Sequence, residues 1–508
     1  MKIDRIGNAK RNIIFGMLSM SISLLLPFFT RTVLIYTLGE LYTGLSGLFQ
    51  SVFQILNIFE LGFGVALVYF LYEPIAKDEQ EKICAILNYY KRCYKKIGTI
   101  VFVVGMCIMP FVPYLIKEQE VPNINIYFIY FLMLINTSVG YFMFPQARAL
   151  LTAYQRSDYT HKIAIISEFL KNVFQITVLL VFKNYYLYIL IIPVCELMND
   201  FIHLFIVKKE YPNVHCKGEL DVDFKRCLHK KISGLFTYKI GSIISNFADS
   251  VVISAFLGLG VVAVYSNYYY IITAVFSILA VYYSSISAGL GNSIVVETVE
   301  NNYRKFQILQ FAQEWLIGWI SICLVCLFQP FIRLWVGEDW LLPFPLVLLL
   351  VLLFYVWKIQ DIVTVYKEAA GLWDKDKFRP LISAIINLTL NLLTVNRWGL
   401  YGVVISTLIS VLIVDMTWVA RSIFKMYFKV RLSQYYIRML KALLINIGIG
   451  IVTYYCCELL KNGSAMWDFV VSLGGCMLIP NTIYILFYRQ KWEFRELITR
   501  AKLWRKKR

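Results

Sequence analysis

Arg31 to Ser46 reads R-T-V-L-I-Y-T-L-G-E-L-Y-T-G-L-S, and Asp249 to Ser266 reads D-S-V-V-I-S-A-F-L-G-L-G-V-V-A-V-Y-S. Each stretch has a charged residue, about a turn and a half of apolar helix, then Leu-Gly, a short turn and a new apolar run. The first joins the apolar runs 13–36 and 44–71, and the second joins 233–258 and 261–290. Ten further runs fall at 97–116, 124–144, 163–182, 185–207, 306–331, 344–366, 380–396, 399–424, 437–459 and 467–488. Each is near or above the roughly 20 residues that a helix needs to cross a bilayer. The expectation is an all-α integral membrane protein of about fourteen transmembrane helices.

Composition points the same way. Of 508 residues 59% are hydrophobic and 16% charged, with a mean hydropathy of +0.64. A soluble domain carries about 25% charged residues, so these values exclude an ordinary soluble enzyme and a disordered chain. The net charge of +18, from 50 Lys and Arg against 32 Asp and Glu, would suggest nucleic acid in a soluble protein. Its placement says otherwise. With the amino terminus inside, 41 of the 50 cations fall in inside segments, five fall outside (Lys117, Lys183, Arg333, Arg397 and Lys461), and four lie within runs. A missed or invented span would swap the later loops and spoil this bias. It therefore supports an even number of spans with both termini cytoplasmic, leaves attraction to anionic membrane lipid as a secondary use of the charge, and removes the nucleic-acid reading. The first run is too long for a cleaved signal peptide and no small-residue cleavage site follows it.

The two Leu-Gly stretches lie six spans apart. A unit of six spans returns to its starting side, so a second copy would insert in the same orientation, related by an axis along the membrane normal. The expected domains are an N-terminal lobe of spans 1–6 (1–210), a C-terminal lobe of spans 7–12 (211–430), and spans 13–14 with a basic tail (431–508). The lobes would face a central cleft. Exterior segments are short and interior ones too small for a soluble domain, so function lies within the bilayer.

Charges at mid-membrane are costly and usually face a cavity or a partner. Polar residues recur at helical spacing in span 2 (Gln50, Gln54, Asn57, Glu60), span 5 (Glu168, Lys171, Asn172, Gln175) and span 7 (Lys239, Ser242, Asn246, Asp249). Span 1 adds Ser19, Ser23, Thr30 and Arg31. Span 6 has Glu196, Asp200 and His203, span 10 Lys358 and Asp361, and span 11 Asn387 and Asn391. Such groups serve either as glue between helices or as the lining of a hydrated path. Glue is the reading for Glu196, Asp200 and His203. Glu168–Lys171 and Lys358–Asp361 are i,i+3 pairs that fit both readings. Arg31, Glu60, Lys239 and Asp249 have no evident partner on their own helices and fit a hydrated cavity. Tyr265 and Tyr268–Tyr270 offer rings for a sugar or for an interfacial belt, and Trp335, Trp340, Trp398 and Trp467 read as interfacial anchors.

Other chemistry is sparse. None of the eleven cysteines lies well out in an exterior loop, which argues against a disulfide framework. Cys323 and Cys326 form a CxxC inside an apolar span, where a compact polarizable filler is the better reading. His215, Cys216, Cys227 and His229 bracket an inside loop but match no common zinc spacing. There is no Walker loop, so ATP hydrolysis by this chain is not expected.

The chain resembles polysaccharide repeat-unit flippases of the multidrug/oligosaccharidyl-lipid/polysaccharide exporter superfamily over nearly its full length. The likeness rests on Arg31 with Y-T-L-G (36–39), E-L-G-F-G (60–64), A-D-S-V-V-I-S-A-F-L-G (248–258), V-Y-S-N-Y (264–268), G-N-S (291–293), E-A-A-G-L (368–372), R-P-L-I-S-A-I-I-N-L (379–388) and G-L-Y-G-V-V-I-S-T (399–407). The resemblance implies two six-helix lobes around a cavity that opens alternately to each side of the bacterial cytoplasmic membrane. It implies a substrate of oligosaccharide on undecaprenyl pyrophosphate, moved from the inner to the outer leaflet, with a glycan polymerase or other assembly proteins as partners. No catalytic residue, metal or cofactor is implied. Family cavities are commonly cationic; Arg31, Lys239, Lys171 and Lys358 could meet that need, with Gln54, Asn57 and Asn246 beside them, and Glu60, Asp249 and Asp361 as counter-charges or ion-coupling sites. Those acids keep a drug or organic-cation antiporter of the same superfamily open. A membrane-embedded glycan polymerase would want a larger exterior loop or a soluble catalytic domain.

Overall fold

The computed structural model describes residues 5–60, 63–117, 124–372 and 375–506, and among them it forms helices and turns with no strand. The side chains of Glu60, Cys227, His229, Lys239 and Asn246, all singled out above, lie outside the described residues. Helices satisfy their backbone groups internally, which crossing hydrocarbon requires. Among the described residues, eleven helical stretches are long and apolar enough to cross a membrane, or twelve if Ile126–Phe142 and Pro145–Ala153, bent by 49°, count as one broken span.

Three of the expected runs depart from simple helices. The run at 44–71 is interrupted: α2 (Glu40–Leu56) gives way to a 3-10 turn at Asn57–Glu60 before α3 (Phe63–Lys77) begins. The runs at 380–396 and 399–424 are merged in one 50-residue stretch, Arg379–Phe428, broken at Gly399 (φ 55°, ψ −135°).

Packing divides the chain into two compact units, Met1–Ala263 and Val264–Arg508. In the first unit α1 (Arg5–Leu38) lies along α7 (Ser157–Val181), α4 (Gln80–Ile108) along α5 (Ile126–Phe142), and α7 along α8 (Tyr185–Glu210). After α5 the chain bends through Phe144 (φ 47°) into α6 (Pro145–Ala153). Two cores result. One gathers Leu45, Leu48, Phe49, Phe53, Tyr130 and Leu134. The other gathers Ile83, Ile86, Tyr90, Tyr94, Leu150 and Leu151. α9 (Val222–Leu257) closes this unit against α2.

Lipid is as apolar as leucine, so close packing rather than water exclusion holds such helices together. Small residues make that possible. A Cβ on Gly44 would stand 2.1 Å from the carbonyl oxygen of Leu259, and one on Gly105 would stand 2.3 Å from Leu134. The Leu-Gly turns quoted first share one conformation: Gly39 has φ 89°, ψ −167°, and Gly258 φ 103°, ψ 167°. That region is essentially restricted to glycine, and in both places a helix ends at Leu and the next begins immediately after Gly.

The second unit starts within α10 (Leu259–Val296) and is built on α11 (Val299–Val336). α11 packs against α12 (Phe344–Ile359), α16 (Leu432–Glu458) and α17 (Ala465–Tyr488). Its core includes Phe311, Ile322, Cys326, Ile449 and Tyr484. α13 (Asp361–Ala369) and α14 (Arg379–Ser410) follow α12; then come a π-helical segment at Val411–Met416, α15 (Thr417–Ile423) and, after α17, α18 (Trp492–Lys506). Ile437, Leu440, Leu444, Ile447 and Ile451 are exposed along α16, a large apolar surface of the kind hydrocarbon rather than water would cover.

Two aromatic assignments change. Trp335 is only 7% exposed and packs by Phe331, unlike the exposed Trp398 and Trp467. Tyr268 is fully buried, its hydroxyl donating to Gln329 Oε1 (3.1 Å) and accepting from the Leu342 N–H (3.0 Å). It is part of the packing, as is Tyr265, stacked on Tyr269.

Candidate functional site

A polar belt crosses the first unit between α1, α7 and α8. The Thr30 hydroxyl donates to Asn172 Oδ1 at 2.6 Å. Asn172 Nδ2 donates to the Glu168 carbonyl (2.7 Å) and to Glu168 Oε2 (3.3 Å). Lys171 Nζ reaches Glu168 Oε1 at 2.6 Å. On α8, the Tyr188 carbonyl accepts from Gln175 Nε2 at 3.2 Å, and Tyr188 interacts electrostatically with the half-buried Arg31. Helical spacing explains the grouping, since 168, 171, 172 and 175 share one face of α7 and that face meets the α1 turn holding Thr30 and Arg31. The named charges of the belt are Arg31, Lys171 and Glu168. The arrangement offers an anion one guanidinium, one ammonium and several amide and hydroxyl groups.

The other first-unit candidates lie on other elements. Asn57 sits in the 3-10 turn after α2 and accepts from the Tyr141 hydroxyl at 2.8 Å. Gln54 is half-buried one turn before it. Asp249, on α9, is 7% exposed and is not without a partner.

In the second unit, Lys358 and Asp361 pair at 3.0 Å across the break at Gln360, where α12 ends and α13 begins. The Lys358 ammonium also sits 4.0 Å over the Phe276 ring. Its carbonyl accepts from Gln313 Nε2 at 2.6 Å, and Gln313 Nε2 bonds Tyr283 as well. This group is electrically neutral. Asn387 and Asn391 line one face of α14, with Asn387 Nδ2 donating to Thr407 Oγ1 at 2.8 Å.

Three charged clusters contain members that the sequence analysis does not single out. Arg148 at the start of α6 donates from one terminal nitrogen to Glu196 (2.6 Å), Asn199 (3.0 Å) and Asp200 (2.8 Å) of α8. It is the partner that the polar end of span 6 required. Next, Asp376 accepts from Lys367 (2.6 Å) and Arg379 (3.1 Å), and Asp415 accepts from Arg379 and from the Ser383 hydroxyl (2.7 Å). Lys367 and Asp376 are almost fully buried. Asp415 lies in the π-helical segment, whose widened turn is a common device for re-aiming a side chain. Last, Glu314 of α11 pairs with Arg438 of α16 at 2.8 Å, and Arg438 reaches Glu493 of α18 at 3.4 Å. A lone acid in an apolar run, as Glu314 is, was the available signal. Among the described residues no group of three or more His, Cys, Asp or Glu is arranged to hold a metal.

The fold is similar to that of several solved transporters. Over 94% of this chain and 99% of the other it matches a lipid II flippase, MurJ, in an inward closed conformation, with a TM-score of 0.67 and 14% identity. An inward-facing multidrug resistance MATE family transporter of the MOP superfamily aligns over 84% of this chain and 98% of its own, with a TM-score of 0.61 and 13% identity. A MOP superfamily transporter from Pyrococcus furiosus aligns over 82% and 96%, with a TM-score of 0.52 and 13% identity. No curated protein matches the sequence. The family of polysaccharide biosynthesis proteins does, from residue 9 to residue 288. That span is more than half of the 508 residues, and this multi-pass membrane protein belongs to the polysaccharide biosynthesis protein family.

Proposed function

We propose that the protein is a flippase that carries oligosaccharide repeat units on undecaprenyl pyrophosphate from the cytoplasmic to the outer leaflet by alternating access, without catalysing a reaction. The family membership carries this reading, and the MurJ-like fold supports it. The obstacle to such transport is a polar headgroup in hydrocarbon while its tail stays in lipid. Polar and cationic side chains replace the hydration that the headgroup gives up. Arg31 and Lys171, the two cations named in the belt, are the pyrophosphate ligands of the first unit on this reading; Lys358 and Lys239 are the further cations. With the inside negative, outward movement of about two negative charges is downhill by roughly 4–5 kcal/mol per 100 mV if the protein's own charges stay still. The potential alone can bias transport, and ion exchange at Glu60, Asp249 or Asp361 is not required.

The test is the leaflet accessibility of lipid-linked oligosaccharide in cells that lack the protein. Retention in the inner leaflet, relieved by wild type and not by Arg31→Ala at equal protein level, is the expected result. Normal outer-leaflet exposure without the protein would refute the reading. A buried acid at Asp249 and the MATE-like fold favour, as a second reading, an organic-cation antiporter. Loss of drug tolerance on deletion with intact surface polysaccharide would select it.

A further inference from the structure

On the first unit, a groove of about 730 Å³ runs along α4 under the segment that joins α8 to α9. That segment is fixed to the helix. Asn88 Nδ2 donates to the Gly218 carbonyl at 2.9 Å, and Arg92 pairs with Glu219 at 3.1 Å. The His215 N–H lies 3.2 Å from Cys84 Sγ. Gly218, at φ +91°, takes a conformation that side chains disfavour, and a Cβ there would already meet Ala85 at 3.3 Å.

The groove is lined by Arg92, Lys95, Lys96 and Lys225, with Glu219 as its one acid. Its named charges sum to +3. Directly beyond Lys96 the helix turns apolar, I-G-T-I-V-F-V-V (97–104). Lys96, Ile100, Val103 and Cys107 follow one another at i, i+4, i+7 and i+11, so they share one face, and all four are exposed. From Ile100 to Cys107 that face extends about 10 Å. A phosphate at the lysines would therefore sit at the head of an open apolar track. Basic pockets beside membrane helices bind anionic headgroups by this combination.

We propose that this groove binds the phosphate headgroup of an anionic glycerophospholipid of the surrounding leaflet, with its acyl chains laid along Ile100, Val103 and Cys107. The site is separate from the Arg31 belt, and the proposal stands whether or not the protein is a flippase. Lys95 and Lys96 are exposed, and among the described residues neither forms an ion pair, so their loss should spare the fold.

The test is native mass spectrometry of the delipidated full chain titrated with phosphatidylglycerol, phosphatidylcholine or undecaprenyl pyrophosphate. Phosphatidylglycerol should bind more tightly than phosphatidylcholine. Lys95→Gln with Lys96→Gln should weaken it by roughly fivefold per lysine, whereas Lys208→Gln with Lys209→Gln, equal in charge, should leave it unchanged. Equal affinity for the two phospholipids, or equal weakening by both double variants, would overturn the proposal. So would a preference for undecaprenyl pyrophosphate over phosphatidylglycerol that the Lys95/Lys96 variant abolishes, since the groove would then belong to a polyprenyl lipid.

Discussion

Arg148 holds three acceptors on one nitrogen, and Asp200 is 2% exposed. Removing the guanidinium would strand a buried carboxylate beside a second acid. Breaking a fully buried pair costs about 3–5 kcal/mol. Arg148 is 40% exposed, so solvent screening lowers the expectation for Arg148→Ala to about 2–3 kcal/mol. A lower melting temperature in detergent checks it, and adding Asp200→Asn should recover part of the loss. The buried Lys367–Asp376–Arg379 cluster has less relief from solvent. Asp376→Asn removes the acid that both buried cations share, and a loss of about 3–5 kcal/mol, read as a fall in folded yield and melting temperature, is expected. From sequence Arg148 and Arg379 read as topological charge, because they lie in inside segments 52 and 36 positions from Asp200 and Asp415. Hydropathy and spacing carry information along a helix, but not about which helix it will meet. The i,i+3 pairs Glu168–Lys171 and Lys358–Asp361 were legible for the opposite reason, since both partners sit within one turn.

Among elements, the turns between helices were the most readable. The Leu-Gly pairs at 38–39 and 257–258 both end a helix with a glycine in a region other residues avoid. Gly258→Ala should cost about 1–3 kcal/mol, measurable as a drop in melting temperature, because no L side chain relaxes there. Gly44→Ala should be at least as damaging. Its Cβ would lie 2.1 Å from the Leu259 carbonyl oxygen, and overpacking at a backbone contact cannot be relieved by a rotamer change. The interruption of span 2 at Asn57–Glu60 was not legible. No proline marks it, and a 3-10 turn keeps an apolar run looking continuous. The π-helical turn that aims Asp415 at Arg379 and Ser383 is invisible for a related reason: one extra residue per turn does not disturb the local hydropathy.

For the whole molecule, the open quantity is how many times the chain crosses the bilayer. Length and composition alone give eleven spanning helices among the described residues, or twelve with the bent pair. Charge placement gives an even number with both ends inside, because 41 of 50 cations then share one side. The interrupted α2–α3 stretch and the break at Gly399 within Arg379–Phe428 are where the two counts diverge. Reporter fusions separate them. Green fluorescent protein after Arg508 should fluoresce, and alkaline phosphatase there should be inactive. Alkaline phosphatase fused after Trp398, just before the break, should be active, since the cation-poor turn at 397–398 belongs outside. An inactive fusion at Trp398 would mean that Arg379–Phe428 does not turn outside at Gly399. It would then cross once, the loops after it would change sides, and the nine cations of 489–508 would face outward, against the bias that orients the rest of the chain.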